Sequence, residues 1–265
     1  MKKTSIQGLS IVFLFVSMLF LCNQINWMQL FSIKATTAKT EEKLGELFWG
    51  IYQKAEKQND KKFANQVLDS LVNQLCKNNK IKRATIKLHI ITKNEVNAFA
   101  LPNGHLVVYT GLIANCKNQE ELSGVIAHEI AHIESNHVMS KLTKEIGLTM
   151  LISMTTGNTG AESIKNAIKL LSSSAFDRKL EKEADIKAVD YLCNAKINPE
   201  AFANFLYRLA EEENSTSKYL SWISTHPESK NRAEYIIAYS KNKKIKYKSI
   251  LTKSTWLALK NNLAN

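Results

Sequence analysis

The sequence predicts an α+β fold, mainly helical, with one small β-sheet or hairpin. Three observations carry this. The 265 residues include only 9 Gly and 3 Pro, too few turn formers for a sandwich or barrel of many short strands. Apolar residues recur at helical spacing along most of the chain, whereas alternating, β-rich runs are confined to residues 84–110. Hydrophobic residues make up 45% and charged residues 23%, the proportions of a folded domain and not of a disordered chain.

Residues 40–59 read as a helix, with Leu44, Leu47, Phe48, Ile51 and Tyr52 on one face. Residues 61–77 repeat the pattern through Phe63, Val67, Leu71 and Leu75, and Asn78-Asn79 ends it. Residues 84–92 alternate as a strand, residues 97–101 are extended, and residues 106–110 form a second strand after a Pro102-Asn103-Gly104 turn. Helical spacing returns from residue 119 to about residue 142. A polar, Gly-bearing loop at 155–160 separates two further helices. Residues 178–193 are helical, Pro199 opens the next helix at its first turn, and residues 231–240 close the body. No internal repeat or interdomain linker is visible.

The net charge is +12, but it lies at the ends. Residues 35–240 hold 26 basic and 24 acidic residues, a net of +2, so the body lacks the basic excess of a nucleic-acid-binding domain. Lys2 and Lys3 precede an apolar run from Leu9 to Cys22, the pattern of an export signal. Its fourteen residues are short of the roughly 20 that span a bilayer. Residues 1–34 are expected to be an export signal or an N-terminal membrane anchor, with the anchor favoured; a buried helix is the alternative. Positive charge stays inside, so the body would face outward. Leu19-Phe20-Leu21-Cys22 is similar to a lipidation signal at Cys22, but Leu21 is bulky where a small residue is expected. Residues 35–265 are expected to form one domain, with a basic C-terminal segment at 240–265. Within it, the basic stretch Lys241–Lys248 reads as a solvated end or as a contact for an anionic membrane surface. In an oxidising space, Cys76, Cys116 and Cys193 would form one disulfide and one free thiol, or remain three buried thiols.

The chemistry is concentrated in His128-Glu129-Ile130-Ala131-His132. On a helix, His128 and His132 are offset by about 40°, so both imidazoles can share one ion. Zn²⁺ suits that ligand type. Glu129 lies about 100° from His128 and 60° from His132 around the axis, beside the ion without ligating it, where a general base must stand. Leu122, Val125, Ile126, Ala127, Ile130, Ala131 and Ile133 make this helix apolar nearly all round, and two His and a Glu on such a helix are costly unless paired or metal-bound. A catalytic zinc needs a third protein ligand and an open position. A Gly at 135 with a His at 138 would be one solution; Ser135 and Val138 exclude it. His137 is one position short and reads as structural or as an outer partner. A carboxylate from a later helix is the other solution. Arg178, Glu181 and Asp185 fall at i, i+3 and i+7: Glu181 can reach the metal, Asp185 can accept the outer N–H of a ligand His, and Arg178 can neutralise the cluster. Glu183 points elsewhere and is the weaker ligand candidate.

Four stretches together resemble the HtpX/BepA-like zinc metallopeptidases, gluzincins related to the CAAX prenyl proteases. They are Asn97-Ala-Phe-Ala-Leu-Pro-Asn-Gly104 leading into Val108-Tyr-Thr-Gly-Leu112, His128 to His132, Arg178-Lys-Leu-Glu-Lys-Glu-Ala-Asp185, and Ser224-Thr-His-Pro227 with Arg232. The resemblance implies a zincin-like domain holding one zinc ion per chain, with Glu181 as third ligand. It also implies that His226 lies near the metal, as a switchable ligand or a stabiliser of the oxyanion, and that Arg232, with Asp185 and Arg178, stands behind the ligands as an outer partner. Asp177 stands where relatives often carry Ser. The chain is similar to the small, single-domain periplasmic members. Asn97, Ala98, Phe99 and Ala100, at a sheet edge, would pair with an extended substrate backbone, so unfolded or misfolded envelope proteins are the expected substrates. The rival expectation is an exported, non-proteolytic chaperone or adaptor, whose zinc would be structural or latent.

Overall fold

A computed structural model describes residue 17 and residues 33–212, 219–241, 243 and 245–264. Apart from Ser17, Ile33 and Lys34, residues 1–34 lie outside the described residues, Cys22 among them. The chain divides into two compact units, Met1–Thr40 and Glu41–Asn265. The described residues of the first are helical; the second contains the predicted fold. No helix among the described residues is long and apolar enough to cross a membrane.

The alternating stretch folds as a three-stranded sheet of β1 (Lys87–Ile91), β2 (Ala98–Leu101) and β3 (His105–Tyr109), in the order β1-β3-β2. β1 runs parallel to β3 and β2 antiparallel to it, with Lys87 opposite His105 and Ala98 opposite Val108. Successive side chains on a strand point to opposite faces, and here both faces are covered. Ile90, Leu106 and Val108 enter one hydrophobic cluster, while Ile91, Val107 and Tyr109 enter another. The turn into β3 has positive φ at Asn103 (59°) and Gly104 (70°). Only glycine fits the second position, because a Cβ there would meet the Thr85 carbonyl oxygen at 1.8 Å.

Helices fill both layers. α1 (Ile33–Ala55) brings Leu44, Phe48, Trp49 and Tyr52 onto one face of the sheet. α2 (Lys62–Asn78) joins the opposite cluster through Leu68, Leu71 and Leu75. A short α3 (Thr110–Asn115) leads to α4 (Gln119–Glu134), then α5 (His137–Ile146), α6 (Leu148–Thr155) and α7 (Ala161–Ser173). α8 (Arg178–Asn194), α9 (Glu200–Glu212), α10 (Leu220–Thr225), α11 (Ser229–Ser240) and α12 (Lys253–Ala264) follow.

One sequence expectation is corrected. The single helix from 119 to about 142 is two helices, because Asn136 sits at φ 57° and ψ 27° between them. Asparagine tolerates this left-handed conformation and so ends a helix. Beyond the basic stretch 241–248, α12 buries Trp256 and Leu259 in the core. Cys76, Cys116 and Cys193 are three buried free thiols.

Candidate metal centre

α4 positions the central motif. The Asn118 side chain caps it by accepting from the Glu121 N–H at 2.9 Å, and Glu120 and Glu121 complement its N-terminal dipole. Gly124 allows α9 to approach closely, since a Cβ there would stand 2.4 Å from Phe202 Cβ. The helix is therefore wrapped in protein, and His128, Glu129 and His132 are all fully buried.

The two ligand-spaced imidazoles meet as their helical offset requires, with His128 Nε2 and His132 Nε2 3.0 Å apart. α8 brings Glu181 to them, Oε1 3.3 Å from His132 Nε2 and Oε2 3.6 Å from His128 Nε2. His226, just past α10, places Nδ1 3.3 Å from His128 Nε2 and 3.1 Å from Glu181 Oε1. The four side chains offer ligand atoms within 4.8 Å of one another.

This donor set fits a single cation. Four ligands each about 2.0–2.1 Å from a tetrahedral zinc would be spaced about 3.3–3.4 Å from one another; the measured spacings run from 3.0 to 3.6 Å. Asp185 Oδ1 lies 2.8 Å from His128 Nδ1, which favours the proton on that nitrogen and leaves Nε2 as a lone pair. Lone pairs from two rings and a carboxylate thus converge on one point, which is unfavourable without a positive charge between them. Beside them both Glu129 oxygens are buried with no hydrogen-bond partner. His226 Nε2 is 3.2 Å from Glu129 Oε1, close enough to attract but not aligned as a hydrogen bond.

From the protein groups alone, burial pushes the His132 ring down to about 4 and also lowers His137. Burial disfavours a charged His226, but the Glu181 and Glu129 carboxylates outweigh it and raise its pKa to about 9. Burial likewise opposes ionisation of Glu181, yet His226 and Arg232 hold its carboxyl well below the usual range. Glu129 is held low by the adjacent His226 ring against the same burial.

The outer contacts depart from the sequence reading at one point. Arg178 was expected to neutralise the carboxylates. It is instead at the surface, its side chain 84% exposed, and its guanidinium lies 2.6 Å from Glu228 Oε1. As first residue of α8 it starts the helix outside the core. Arg232 of α11 takes the expected role. Its Nε and Nη2 donate to the two Asp185 oxygens at 2.8 Å each, and Nη1 stands 2.9 Å from Glu181 Oε2 and donates to the His226 carbonyl at 3.2 Å. Tyr235, not singled out in the sequence, also donates to Asp185. Phe176 lies against His132, ring centroids 4.1 Å apart, and Trp222 against His226 at 4.3 Å. Trp222 is one turn before His226, a helical spacing that could have flagged it; nothing in the sequence flags Phe176.

The expected substrate strand is an edge by sheet order, but a covered one. Ala98, Phe99, Ala100 and Leu101 are all buried, and Phe99 packs edge-on against Tyr52 and Tyr109 as core. Asn97 is also buried; its Nδ2 donates to the Ser172 carbonyl at 3.2 Å and to Ser221 Oγ at 2.9 Å, and its Oδ1 has no partner. Burial of Asn97, Ala98, Phe99 and Ala100 thus runs against the expected substrate-pairing role of this strand.

The model of Peptidase family M48 matches residues 62–239. The mitochondrial metalloendopeptidase OMA1 of Schizosaccharomyces pombe is 30% identical over 152 residues, 57% of this chain and 45% of that protein. The beta-barrel assembly-enhancing protease of Yersinia pestis is 26% identical over 174 residues, 61% of this chain and 36% of the relative. The metalloprotease LoiP of Escherichia coli is 28% identical over 165 residues, 60% of this chain and 64% of the relative. The chain spans less than half the length of the first two.

Proposed function

The chain belongs to Peptidase family M48, and from that premise we propose that it is a zinc-dependent endopeptidase with the HExxH helix α4 as its active-site element. The observation that carries the reading is the convergence of His128 Nε2, His132 Nε2 and the Glu181 carboxylate beside the unpartnered Glu129 carboxylate. His128, His132 and Glu181 hold one zinc ion, with Asp185 and Arg232 orienting His128 and Glu181. When bound, zinc supplies a Lewis acid and lowers the pKa of a coordinated water toward 7. Glu129 accepts the proton of the attacking water on a carboxylate oxygen and returns it to the leaving amine. His226, whose Nε2 stands 3.2 Å from Glu129 Oε1, lies where it can donate to the peptide oxygen as that becomes negative.

The substrate class is unfolded or misfolded polypeptide, because His128, Glu129, His132 and Glu181 are all buried and a flexible chain can be threaded to such a site where a folded one cannot. The setting is the periplasmic face of an envelope, in protein quality control. Lys2, Lys3 and the apolar run to Cys22 support export or anchoring, and the basic segment 241–248 supports contact with an anionic membrane surface. Nucleic acid is not a partner. The name of the Yersinia relative, a beta-barrel assembly-enhancing protease, agrees with an envelope setting.

One observation favours a second reading. His226 Nδ1 completes a four-member ligand group, and a site closed by four protein ligands is structural or latent. The chain would then be an exported chaperone or adaptor. Casein digestion by the full chain, with and without chelator and beside Glu129→Gln, decides between them. The peptidase digests casein, stops with chelator and resumes with zinc, and Glu129→Gln keeps zinc but not digestion. Digestion by Glu129→Gln at the wild-type rate, free of contaminating protease, would refute the mechanism. An adaptor would retain its cellular role in that variant.

A further inference from the structure

His132 has two ring nitrogens, and the reading above, on which this inference rests, uses only Nε2. Its Nδ1 lies 3.1 Å from His137 Nδ1, and both rings are buried. On an unbroken helix, residues five apart are about 140° apart around the axis and cannot face each other. The left-handed Asn136 between α4 and α5 turns His137 back onto His132. We propose that His137 is a positioning residue, placed by the helix break at Asn136, which fixes the tautomer and direction of the metal ligand His132.

The proton positions follow from the contacts. Nε2 of His132 faces His128 and Glu181 and must be bare, so its proton is on Nδ1 and is donated to His137 Nδ1. His137 therefore carries its own proton on Nε2. That atom points toward Glu183 Oε2 at 3.6 Å, longer than a direct hydrogen bond but close enough for the carboxylate to favour a proton there. Glu183 is in turn held by Lys187, whose Nζ donates to Glu183 Oε1 at 2.9 Å and to Ser135 Oγ at 2.7 Å. Residues on either side of the break are thus tied to α8. The two ligand imidazoles are backed differently: His128 by the buried Asp185 carboxylate, His132 by a neutral ring with an exposed carboxylate behind it.

The test is zinc affinity of the full chain, read by competition with a chromogenic chelator. His137→Leu weakens zinc binding about 10–100-fold, the usual effect of losing such an outer partner. His137→Gln, whose Oε1 can accept from His132, restores most of it. Asn136→Val, which disfavours the left-handed turn, moves affinity in the direction of His137→Leu. Unchanged zinc affinity in a folded His137→Leu overturns the proposal. If that variant does not fold, nitrogen-15 NMR of the zinc-loaded wild type reads the tautomers directly. A proton on His132 Nδ1 and on His137 Nε2 supports the proposal, and a proton on His137 Nδ1 overturns it. Neither readout needs proteolysis, so this inference can fail while the peptidase reading stands.

Discussion

Arg232 grips Asp185 with two parallel hydrogen bonds of 2.8 Å, both side chains almost fully buried, and the same guanidinium reaches Glu181. This joins α11 to α8 at the point where α8 presents its carboxylates to α4. Two acids and a cation share one dry volume. Each is favourable only while the others are present.

Removing both partners should therefore cost less than the two single losses added together. Arg232→Met leaves Asp185 and Glu181 without their cation, a loss of about 3–5 kcal/mol. In a chain of this size that lowers Tm by about 5–10 °C. The double variant Arg232→Met with Asp185→Leu loses less than the two single losses combined. Thermal melts of the three variants measure this, and simple additivity would contradict the network.

Gly124 is where α4 and α9 touch. Gly124→Ala forces a methyl into contact with Phe202, whose Cβ stands 2.4 Å from the new atom's position. The expected loss is about 1–3 kcal/mol. If Gly124→Ala melted at the wild-type temperature, α4 and α9 would not be as close as described.

Acid should weaken the fold through a site away from the metal ligands. His89 stacks on Trp49 at 3.5 Å, with its Nε2 2.9 Å from His105 Nδ1. Burial, with His105 and Lys87 nearby, pushes the His89 pKa down to about 3, and His105 is lowered mainly by burial. The unfolded imidazole titrates near 6.5. Above that pH both states are neutral and stability is full. Between 6.5 and about 3 the unfolded chain binds a proton that the folded chain refuses, so stability falls as pH falls. Tm measured from pH 7 to pH 4 should drop, and drop less steeply in His89→Gln. Parallel slopes would assign the acid sensitivity to other groups.

Much of this architecture is legible from spacing alone, and the exceptions have physical causes. Helix period and strand alternation report burial, so the elements around Leu44, Leu71, Val107 and Ile126 stand where their apolar faces require. The break at Asn136 is not visible, because the apolar positions Val138, Met139 and Leu142 continue a helical rhythm after the turn; only the left-handed tolerance of asparagine marks it. α12 is hidden by its lysines, which obscure the two residues, Trp256 and Leu259, that reach the core. The site follows the same rule. Positions on one helix, His128 with His132 or Glu181 with Asp185, are fixed by 3.6-residue geometry. Which arginine neutralises them is a tertiary matter: Arg178 is near in sequence and Arg232 is near in space.

The most direct measurement is zinc content and affinity of the purified full chain beside His128→Ala, His132→Ala and Glu181→Ala. The account predicts one tightly held zinc ion in the wild type and at least about tenfold weaker binding in each variant. Full zinc retention by folded Glu181→Ala at wild-type affinity would show that the carboxylate from α8 does not complete the site, and would contradict the assignment.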